Sequence, residues 1–162
     1  MVTETIVDEY KSSISIERLW RAAIVDAHNL MPKILPQIIS SIEILEGDGG
    51  VGTIKKFNLN NAVKEFSYIT DRVEVMDAEN HVFKFSVVEG GLVGLKVSSY
   101  VAEMILTPAS DGGGCLVNLK IEYESLGESL LSEEDAAKII SGTVAMVKAV
   151  DEYLLENFNA YV

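Results

Sequence analysis

A glycine-rich segment is the first place in the chain where residue types and spacing could do chemistry. Residues 46–53 read Glu-Gly-Asp-Gly-Gly-Val-Gly-Thr and hold four glycines in six positions, namely Gly47, Gly49, Gly50 and Gly52. A nucleotide phosphate loop needs a lysine after its last glycine and a helix behind it. Thr53 stands at the lysine position, the following run predicts a strand, and Glu46 and Asp48 would repel a phosphate. We therefore predict a structural hairpin turn here rather than a phosphate site.

Side chains for nucleophilic or metal chemistry are sparse. The chain has two histidines, His28 and His81, one cysteine, Cys115, and no Gly-x-Ser-x-Gly motif. Neither histidine lies in a recognisable triad context, and two widely separated histidines do not make a zinc site. We predict no metal and no cofactor. A lone cysteine cannot form an internal disulfide, so we expect a reducing compartment, the cytoplasm.

Two tyrosines on predicted strands, Tyr68 and Tyr100, are better candidates for a binding role. A buried phenol needs a hydrogen-bond partner that a dry core seldom offers, so both suit the wall of a cavity. Asp71, Asp77 and Glu89 could act as acids or bases, but each lies near a predicted turn or strand end, where charge is expected in any case.

The charge of the chain argues against one class of partner. The 162 residues carry a formal net charge of -12 at pH 7, which repels a phosphate backbone, so nucleic acid is not the expected partner. No apolar stretch approaches the roughly 18 residues that a membrane span needs. The length suits one domain and no linker divides it, so we predict a single domain over residues 1–162.

Strand-like segments recur along the chain. Seven segments are predicted as strands: 3–11, 38–46, 53–58, 65–76, 81–89, 95–107 and 115–123. From the second onward they are joined by turn-forming sequences, the last at residues 111–114, which predicts an antiparallel meander. After the first strand, Ser15 is a candidate N-cap of a helix, while Pro32 and Pro36 permit only short helical turns.

The C-terminal segment has the period of a helix. Ser132 and Asp135 form an approximate capping box, and apolar residues then recur at spacings of three and four as far as Phe158. This predicts a helix of about 25 residues, close to 40 Å long. An apolar stripe of that length must lie along a large apolar surface, and the sheet is the candidate. The sequence therefore predicts an α+β fold in which an antiparallel sheet wraps around one long helix.

Several separated motifs resemble a known family. They lie at residues 28–33, 36–41, 46–53, 88–91, 113–115 and 150–155. In this order they resemble the plant pathogenesis-related class 10 family, which includes the major birch-pollen allergen, and the resemblance covers essentially the whole chain. It implies a helix-grip fold: a seven-stranded antiparallel sheet around a long C-terminal helix, two short helices under one end, and a large internal cavity.

The resemblance also implies a ligand class and a pocket. Relatives of this kind bind amphipathic plant metabolites such as cytokinins, flavonoids, sterols and fatty acids. The pocket positions of the family fall on a mostly apolar set with a few polar anchors: Met31, Phe57, Phe66, Tyr68, Asp71, Phe83, Phe85, Ser98, Tyr100, Ala102, Ile139, Ile140, Thr143 and Met146.

Two branches of the family give more specific expectations. Cytokinin-specific binding proteins look similar around residues 68–71 and 98–100, although Ile69 replaces a polar residue of that pattern. The norcoclaurine-synthase branch is catalytic, and Tyr100 matches its tyrosine. Ala102 replaces its acid, however, and Asn118 stands near the position of its lysine, so we do not expect that activity.

A ribonuclease is a further possibility, because some relatives are described as such. The residues proposed to act in them fall here on Lys55, Asp151 and Tyr153, but the acidic charge and the lack of a histidine pair argue against nuclease activity. Our hypothesis is a cytoplasmic, monomeric carrier or store of small hydrophobic plant metabolites or hormones, connected with defence or stress. The alternative is an enzyme of the same fold, a weak ribonuclease or a pocket-based catalyst of secondary metabolism.

Overall fold

Strands are the largest class of secondary structure in the molecule, which this computed structural model describes over residues 1–61, 63–110 and 112–162. They are β1 (Thr3–Ser12), β2 (Ile39–Glu46), β3 (Ile54–Leu59), β4 (Tyr68–Asp77), β5 (Val82–Gly90), β6 (Val97–Pro108) and β7 (Cys115–Ser125). The helical segments are α1 (Ile16–Trp20), a π-helical turn (Arg21–Val25), α2 (Ala27–Ile34) and α3 (Glu133–Glu156). Ala62 and Asp111 lie outside the described residues, so the predicted turn at 111–114 is described only from Gly112 onward.

The seven described strands form one antiparallel sheet in the order β1-β7-β6-β5-β4-β3-β2. Strands β2 to β7 pair consecutively as a meander, and β1 adds to the end of it by pairing with β7. The predicted antiparallel sheet with a long C-terminal helix is therefore confirmed. Strand β4 begins at Tyr68, later than the predicted start at residue 65.

Alternation along β7 defines an inner face of the sheet, against which α3 packs. The buried members of this strand are Cys115, Val117, Leu119, Ile121 and Tyr123, each at most 3% exposed. Lys120 and Glu122, which lie between them, are exposed. Cross-strand partners project to the same side of a sheet, so the registers extend the inner face through β6, β5, β4 and β3.

Helix α3 begins as its sequence predicts. Ser132 is the N-cap, and its hydroxyl oxygen accepts a hydrogen bond from the backbone N–H of Asp135 at 3.1 Å. Farther along, Val147, Val150 and Leu154 are buried in the same apolar cluster as side chains of β5, β6 and β7. This stripe attaches the helix to the inner face of the sheet.

The helical segment between β1 and β2 differs from its prediction in two ways. Ser15 occupies the N-cap of α1, but its side chain makes no capping hydrogen bond. Helix α2 runs for eight residues with Pro32 inside it, which is longer than the short turns that we expected. Leu30 and Met31 of α2 are at most 4% exposed in the main core, so tertiary packing offsets the backbone hydrogen bond that a proline cannot make.

Arg18 of α1 fixes the end of α3 and the residues that follow. Its Nε donates to the carbonyl oxygen of Ala160 at 2.7 Å, and its Nη2 donates to those of Leu154 at 2.9 Å and Asn157 at 2.5 Å. Carbonyl groups at a helix C-terminus lack intrahelical donors and carry partial negative charge, so a guanidinium group is favourable there. The short helices and α3 are thereby held together at one end of the sheet.

Gly142 is an exposed glycine within α3, and a Cβ built on it meets no atom within 4 Å. Alanine loses less conformational entropy in a helix, so we expect Gly142→Ala to raise the free energy of unfolding by about 1 kcal/mol. Urea unfolding followed by circular dichroism measures this. Gly127 has equally open surroundings but lies outside the helices, and Gly127→Ala should change stability by less than about 0.5 kcal/mol. A destabilised Gly142→Ala variant would contradict the expectation.

Candidate ligand-binding site

Most of the predicted site residues meet between the inner face of the sheet and the helices. The strand registers place six of them on the inner face: Phe57, Asp71, Phe83, Phe85, Tyr100 and Ala102. The helices contribute five more: Met31 from α2, and Ile139, Ile140, Thr143 and Met146 from α3. The sequence thus identified side chains that the fold brings together from three separate parts of the chain.

The apolar interior consists of two clusters of side chains, and the residues that contact both clusters are partly accessible to water. The smaller cluster has Ala102, Ile121 and Ile139 at its centre, and Phe85 and Ile140 pack against both this cluster and the larger one. Strand β5, which carries Phe85, is the fourth of seven in the sheet, yet both Phe85 and Ile140 keep part of their surface accessible to water. Accessible apolar surface on inward-facing side chains is characteristic of a small-molecule site.

A lysine and an aspartate face each other on this inner surface. Lys55 on β3 and Asp71 on β4 are cross-strand partners, and they are 5% and 6% exposed. The Nζ of Lys55 lies 5.6 Å from the centroid of the Phe83 ring, while Oδ1 of Asp71 is buried without a hydrogen-bond partner. Each charge shifts the pKa of the other group, but no direct ion pair joins Lys55 and Asp71 among the described residues. Two ionisable groups are therefore held in apolar surroundings, and one oxygen of Asp71 is left without a hydrogen-bond partner.

Burial controls the ionisation of both groups. It raises the pKa of Asp71 from 3.8 to about 7, and the positive charge of Lys55 offsets only part of that rise. Burial also lowers the pKa of Lys55 below 10.5, an effect that the charge of Asp71 opposes. Near neutral pH, the carboxyl group is therefore divided between its neutral and charged forms. The pair offers a bound molecule both a donor and an acceptor.

Tyr100 connects the inner face to α3. The side chain of Thr143 lies beside its hydroxyl group, and the Oγ1 of Thr143 donates a hydrogen bond to the carbonyl oxygen of Ile139 at 3.2 Å. Burial raises the pKa of Tyr100 to about 12, with the nearby charge of Asp71 acting in the same direction. The phenol stays protonated at neutral pH, so it can donate a hydrogen bond as well as accept one.

Tyr68 does not join this group. It is three positions from Asp71 along β4, and because side chains alternate along a strand, it belongs to the outer face. There its hydroxyl group donates to the carboxylate of Glu89 at 2.6 Å, and the Nζ of Lys56 lies 5.0 Å from the centroid of its ring. Asp71 itself is buried within β4, not placed near a turn as we expected from the sequence.

Two other predicted pocket residues also lie apart from the inner group. Ser98 is at a register shift of β6, and its hydroxyl group donates to the carboxylate of Glu124 at 3.0 Å. Phe66 precedes β4 and is partly exposed. Neither residue belongs to a regular stretch of inner-face pairing.

The glycine loop uses its backbone donors internally. The N–H of Gly49 donates to Oγ1 of Thr53 at 2.9 Å, that of Gly50 to the Asp48 side chain at 3.0 Å, and that of Gly52 to the carbonyl oxygen of Val73 at 2.8 Å. Thr53 is fully buried. A phosphate cradle needs free, convergent N–H groups, so this arrangement fits a structural turn instead.

The three nuclease candidates have separate surroundings. Asp151 accepts hydrogen bonds from the hydroxyl groups of Tyr10, at 2.9 Å, and Ser12, which ties α3 to β1 at the edge of the sheet. Lys55 lies on β3, the sixth strand in the sheet order. Tyr153 is partly buried and packs against the main apolar cluster. The fold does not assemble these three residues into one acid–base group.

The place of Lys55 in the site is a feature that the sequence analysis did not predict. Lys55 was assigned only to the nuclease group, although Phe57, two residues later on the same predicted strand, was assigned to the pocket. Strand alternation already places these two side chains on one face. Strand alternation does not predict that Lys55 pairs with Asp71, because that pairing depends on the register of β3 against β4.

With this geometry established, comparison with known proteins identifies the family. A model described as the pathogenesis-related protein Bet v 1 family matches residues 1–157. The chain belongs to this family. The resemblance inferred from the separated motifs is thereby confirmed.

Relatives in the Bet v 1 family align along nearly their whole length. The major strawberry allergen Fra a 1.08 of Fragaria ananassa is 38% identical over 157 residues, which are 97% of both chains. The crystal structure of Ara h 8.0201 covers 96% of this chain and 99% of its own, with 25% identity and a TM-score of 0.85. Norcoclaurine synthase from Thalictrum flavum in complex with dopamine and hydroxybenzaldehyde has 25% identity and a TM-score of 0.74, covering 96% of this chain and 88% of its own.

Over residues 1–61, 63–110 and 112–162, no helix is long and apolar enough to cross a membrane. In the same part of the chain, no group of three or more histidine, cysteine, aspartate or glutamate side chains is arranged to hold a metal ion.

The raised pKa of Asp71 gives stability a pH dependence. Because the native pKa, about 7, exceeds the ordinary value of 3.8, this residue contributes stability at acid pH that is lost as the pH rises through about 7. We expect Asp71→Asn to gain stability relative to the unmodified protein between about pH 4 and pH 8, by on the order of 3 kcal/mol. Denaturant unfolding across this range measures it. Glu122→Gln, which removes an exposed carboxylate, is the control and should show no such trend; parallel curves for Asp71→Asn and the unmodified protein would refute the assignment.

Gly47 tests the structural role of the glycine loop. Its φ is +94°, and a Cβ built on it would lie 2.8 Å from Cα of Thr53. We expect Gly47→Ala to lower the free energy of unfolding by about 1–3 kcal/mol, because the backbone must leave a strained conformation or the buried Thr53 must move. Gly113→Ala, where a Cβ has open space, should have a much smaller effect on the same unfolding midpoint. Equal midpoints for the two variants would speak against this role.

Proposed function

We propose that this protein is a carrier or store of small hydrophobic or amphipathic plant metabolites, held in an internal cavity between the inner face of the sheet and α3. The observation that carries the proposal is the partial accessibility of Phe85, Tyr100 and Ile140 on the inner side of the fold, together with the unpartnered Oδ1 of the buried Asp71. An apolar wall with a few polar groups is the composition of a small-molecule site.

The polar groups favour amphipathic ligands over purely apolar ones. A hydrocarbon would leave the buried Oδ1 of Asp71 without a partner, at the cost of an unmade hydrogen bond. A molecule with one face of rings or chains and one hydroxyl, carbonyl or N–H group could satisfy Asp71, Lys55 or Tyr100 while covering the aromatic wall. Cytokinins, flavonoids, sterols and fatty acids all have this combination.

The family supports the proposal in general terms. Pathogenesis-related names suit a role in plant defence or stress, and the norcoclaurine synthase of the same fold holds dopamine and hydroxybenzaldehyde, two small aromatic molecules. We further propose that residues 1–162 act as one binding domain, as a monomer, in the cytoplasm. The free, buried thiol of Cys115 is compatible with a reducing compartment.

Ile140 provides the test, because it faces the interior between the two apolar clusters and retains accessible surface. We expect Ile140→Trp to fill the proposed cavity and weaken binding of a fluorescent apolar probe by about tenfold or more. The measurement is a titration with 8-anilinonaphthalene-1-sulfonate, followed by competition with trans-zeatin and quercetin.

Ala145 supplies a matched control, since it lies on the same helix and is exposed. Ala145→Trp adds the same indole ring outside the interior and should leave probe affinity unchanged. Circular dichroism spectra of both variants report whether the fold is intact. Absence of saturable binding to the unmodified protein, or equal affinity of the two folded variants, would refute the proposal.

A further inference from the structure

Lys55 is a buried amine, and a storage role uses it only for hydrogen bonding and not as a nucleophile. We propose that Lys55 forms a reversible imine with the carbonyl group of a bound aromatic or conjugated aldehyde or ketone, with Asp71 acting as the acid that assists loss of water. This inference rests on the proposed function, because the carbonyl compound must first enter the interior. It adds a covalent activity that binding alone does not require.

The position of Lys55 suits a nucleophilic amine. The residue is 5% exposed on a strand flanked by β2 and β4, and in the described part of the chain its charge has no direct ion pair with Asp71, the carboxyl group opposite. Burial without close pairing disfavours the ammonium form, consistent with the lowered pKa of this lysine. An amine desolvated in an apolar site is the activated form of lysine for reaction with carbonyl compounds.

The surroundings of Lys55 indicate the class of carbonyl compound. Its Nζ lies 5.6 Å from the centroid of the Phe83 ring, whose neighbour Phe85 has its ring centroid 5.6 Å from that of Phe83. Phe57 is two residues from Lys55 on the same face of β3 and keeps accessible surface. One aromatic ring beside the amine, with two more on the same inner face of the sheet, favours a flat, ring-bearing or conjugated substrate over a sugar or a short polar aldehyde.

Asp71 is placed to move the protons of the reaction. The lone pair of Nζ adds to the carbonyl carbon, the C–N bond forms, and a proton moves from nitrogen to oxygen to give a carbinolamine. The C–O bond then breaks as the Asp71 carboxyl group donates its proton to the leaving hydroxyl group, which departs as water. The resulting iminium returns its proton to Asp71. The net change is a carbonyl compound plus the amine giving an imine plus water, without an oxidant or reductant.

Two features of Asp71 fit this role. Its Oδ1 has no other hydrogen-bond partner, so it is free to engage the reacting oxygen. Its pKa of about 7 leaves the carboxyl group able both to donate and to accept a proton near neutral pH. It would therefore be a catalytic residue of this step, in contact with the reacting atoms.

The sequence provides an internal control, because the next residue is also a lysine. Lys56 projects to the opposite face of β3, where its Nζ lies over the Tyr68 ring. The two side chains share a strand and a sequence neighbourhood and differ in the face they occupy. Lys55→Met and Lys56→Met thus separate interior chemistry from the general reactivity of surface amines.

The experiment treats the full chain with cinnamaldehyde and then borohydride, which reduces an imine to a stable amine, and maps the adduct by peptide mass spectrometry. We expect one predominant adduct on Lys55, which is lost in Lys55→Met and Lys55→Arg and retained in Lys56→Met. Asp71→Asn should slow its formation by about tenfold at neutral pH, because an amide cannot donate the proton. Circular dichroism confirms that each variant is folded, and Lys55→Arg keeps the positive charge if Lys55→Met does not fold.

Cinnamyl alcohol, which lacks the carbonyl group, distinguishes the two proposals. If it displaces the fluorescent probe while cinnamaldehyde labels Lys55 no faster than Lys56, the interior binds ligands and the imine proposal is wrong. If the adducts spread evenly over the lysines and the probe itself does not bind saturably to the unmodified protein, the binding proposal fails as well. Labelling of Lys55 that is unaffected by Asp71→Asn would remove Asp71 from the mechanism.

Discussion

One long helix, α3, packs against the inner face of a seven-stranded sheet that is wider than the helix. The rest of the structure depends on this difference in width. Strands lie about 4.8 Å apart, so seven of them span about 29 Å, whereas a helix with its side chains is about 10–12 Å wide. Helix α2 closes part of one end, where Leu30 and Met31 join the main core. In the middle of the sheet, Phe85 and Tyr100 remain partly accessible although they face inward. This accessible inward-facing surface is the feature on which the proposed binding role rests.

The polar groups of the interior divide into those that are satisfied and those that are not. Asp151 accepts hydrogen bonds from Tyr10 and Ser12, so its burial joins α3 to β1 and leaves little capacity for a ligand. Lys55 and Asp71 are as deeply buried, but Asp71 Oδ1 has no partner. A buried charge without close compensation costs stability, and proteins place such groups where function uses them. This contrast in hydrogen bonding, rather than residue type, distinguishes Asp71 from Asp151 and makes Asp71 the candidate for a binding role.

Two features at the edge of the molecule keep this arrangement rigid. Thr53 and the glycine loop close the β2–β3 hairpin with internal hydrogen bonds, and that hairpin positions the strand that carries Lys55. At the other end, Arg18 binds the carbonyl groups that follow the last turns of α3, the helix that carries Thr143. The motif that first suggested a phosphate site therefore contributes to the site only indirectly, through the placement of β3.

The sequence by itself determined the elements: alternating strands, the capped C-terminal helix with its apolar stripe, and a glycine turn without phosphate chemistry. These depend on local rules of period, capping and turn formation. The resemblance of its separated motifs to a known family also placed Phe83, Phe85 and Tyr100 in the interior. Only the tertiary structure decided that Asp71 is buried opposite Lys55 and that Tyr68 lies on the outer face, since strand boundaries, bulges and registers fix which side chains meet. A shift of one residue reverses the face of every side chain, so neighbours across strands follow from long-range pairing that local sequence does not specify.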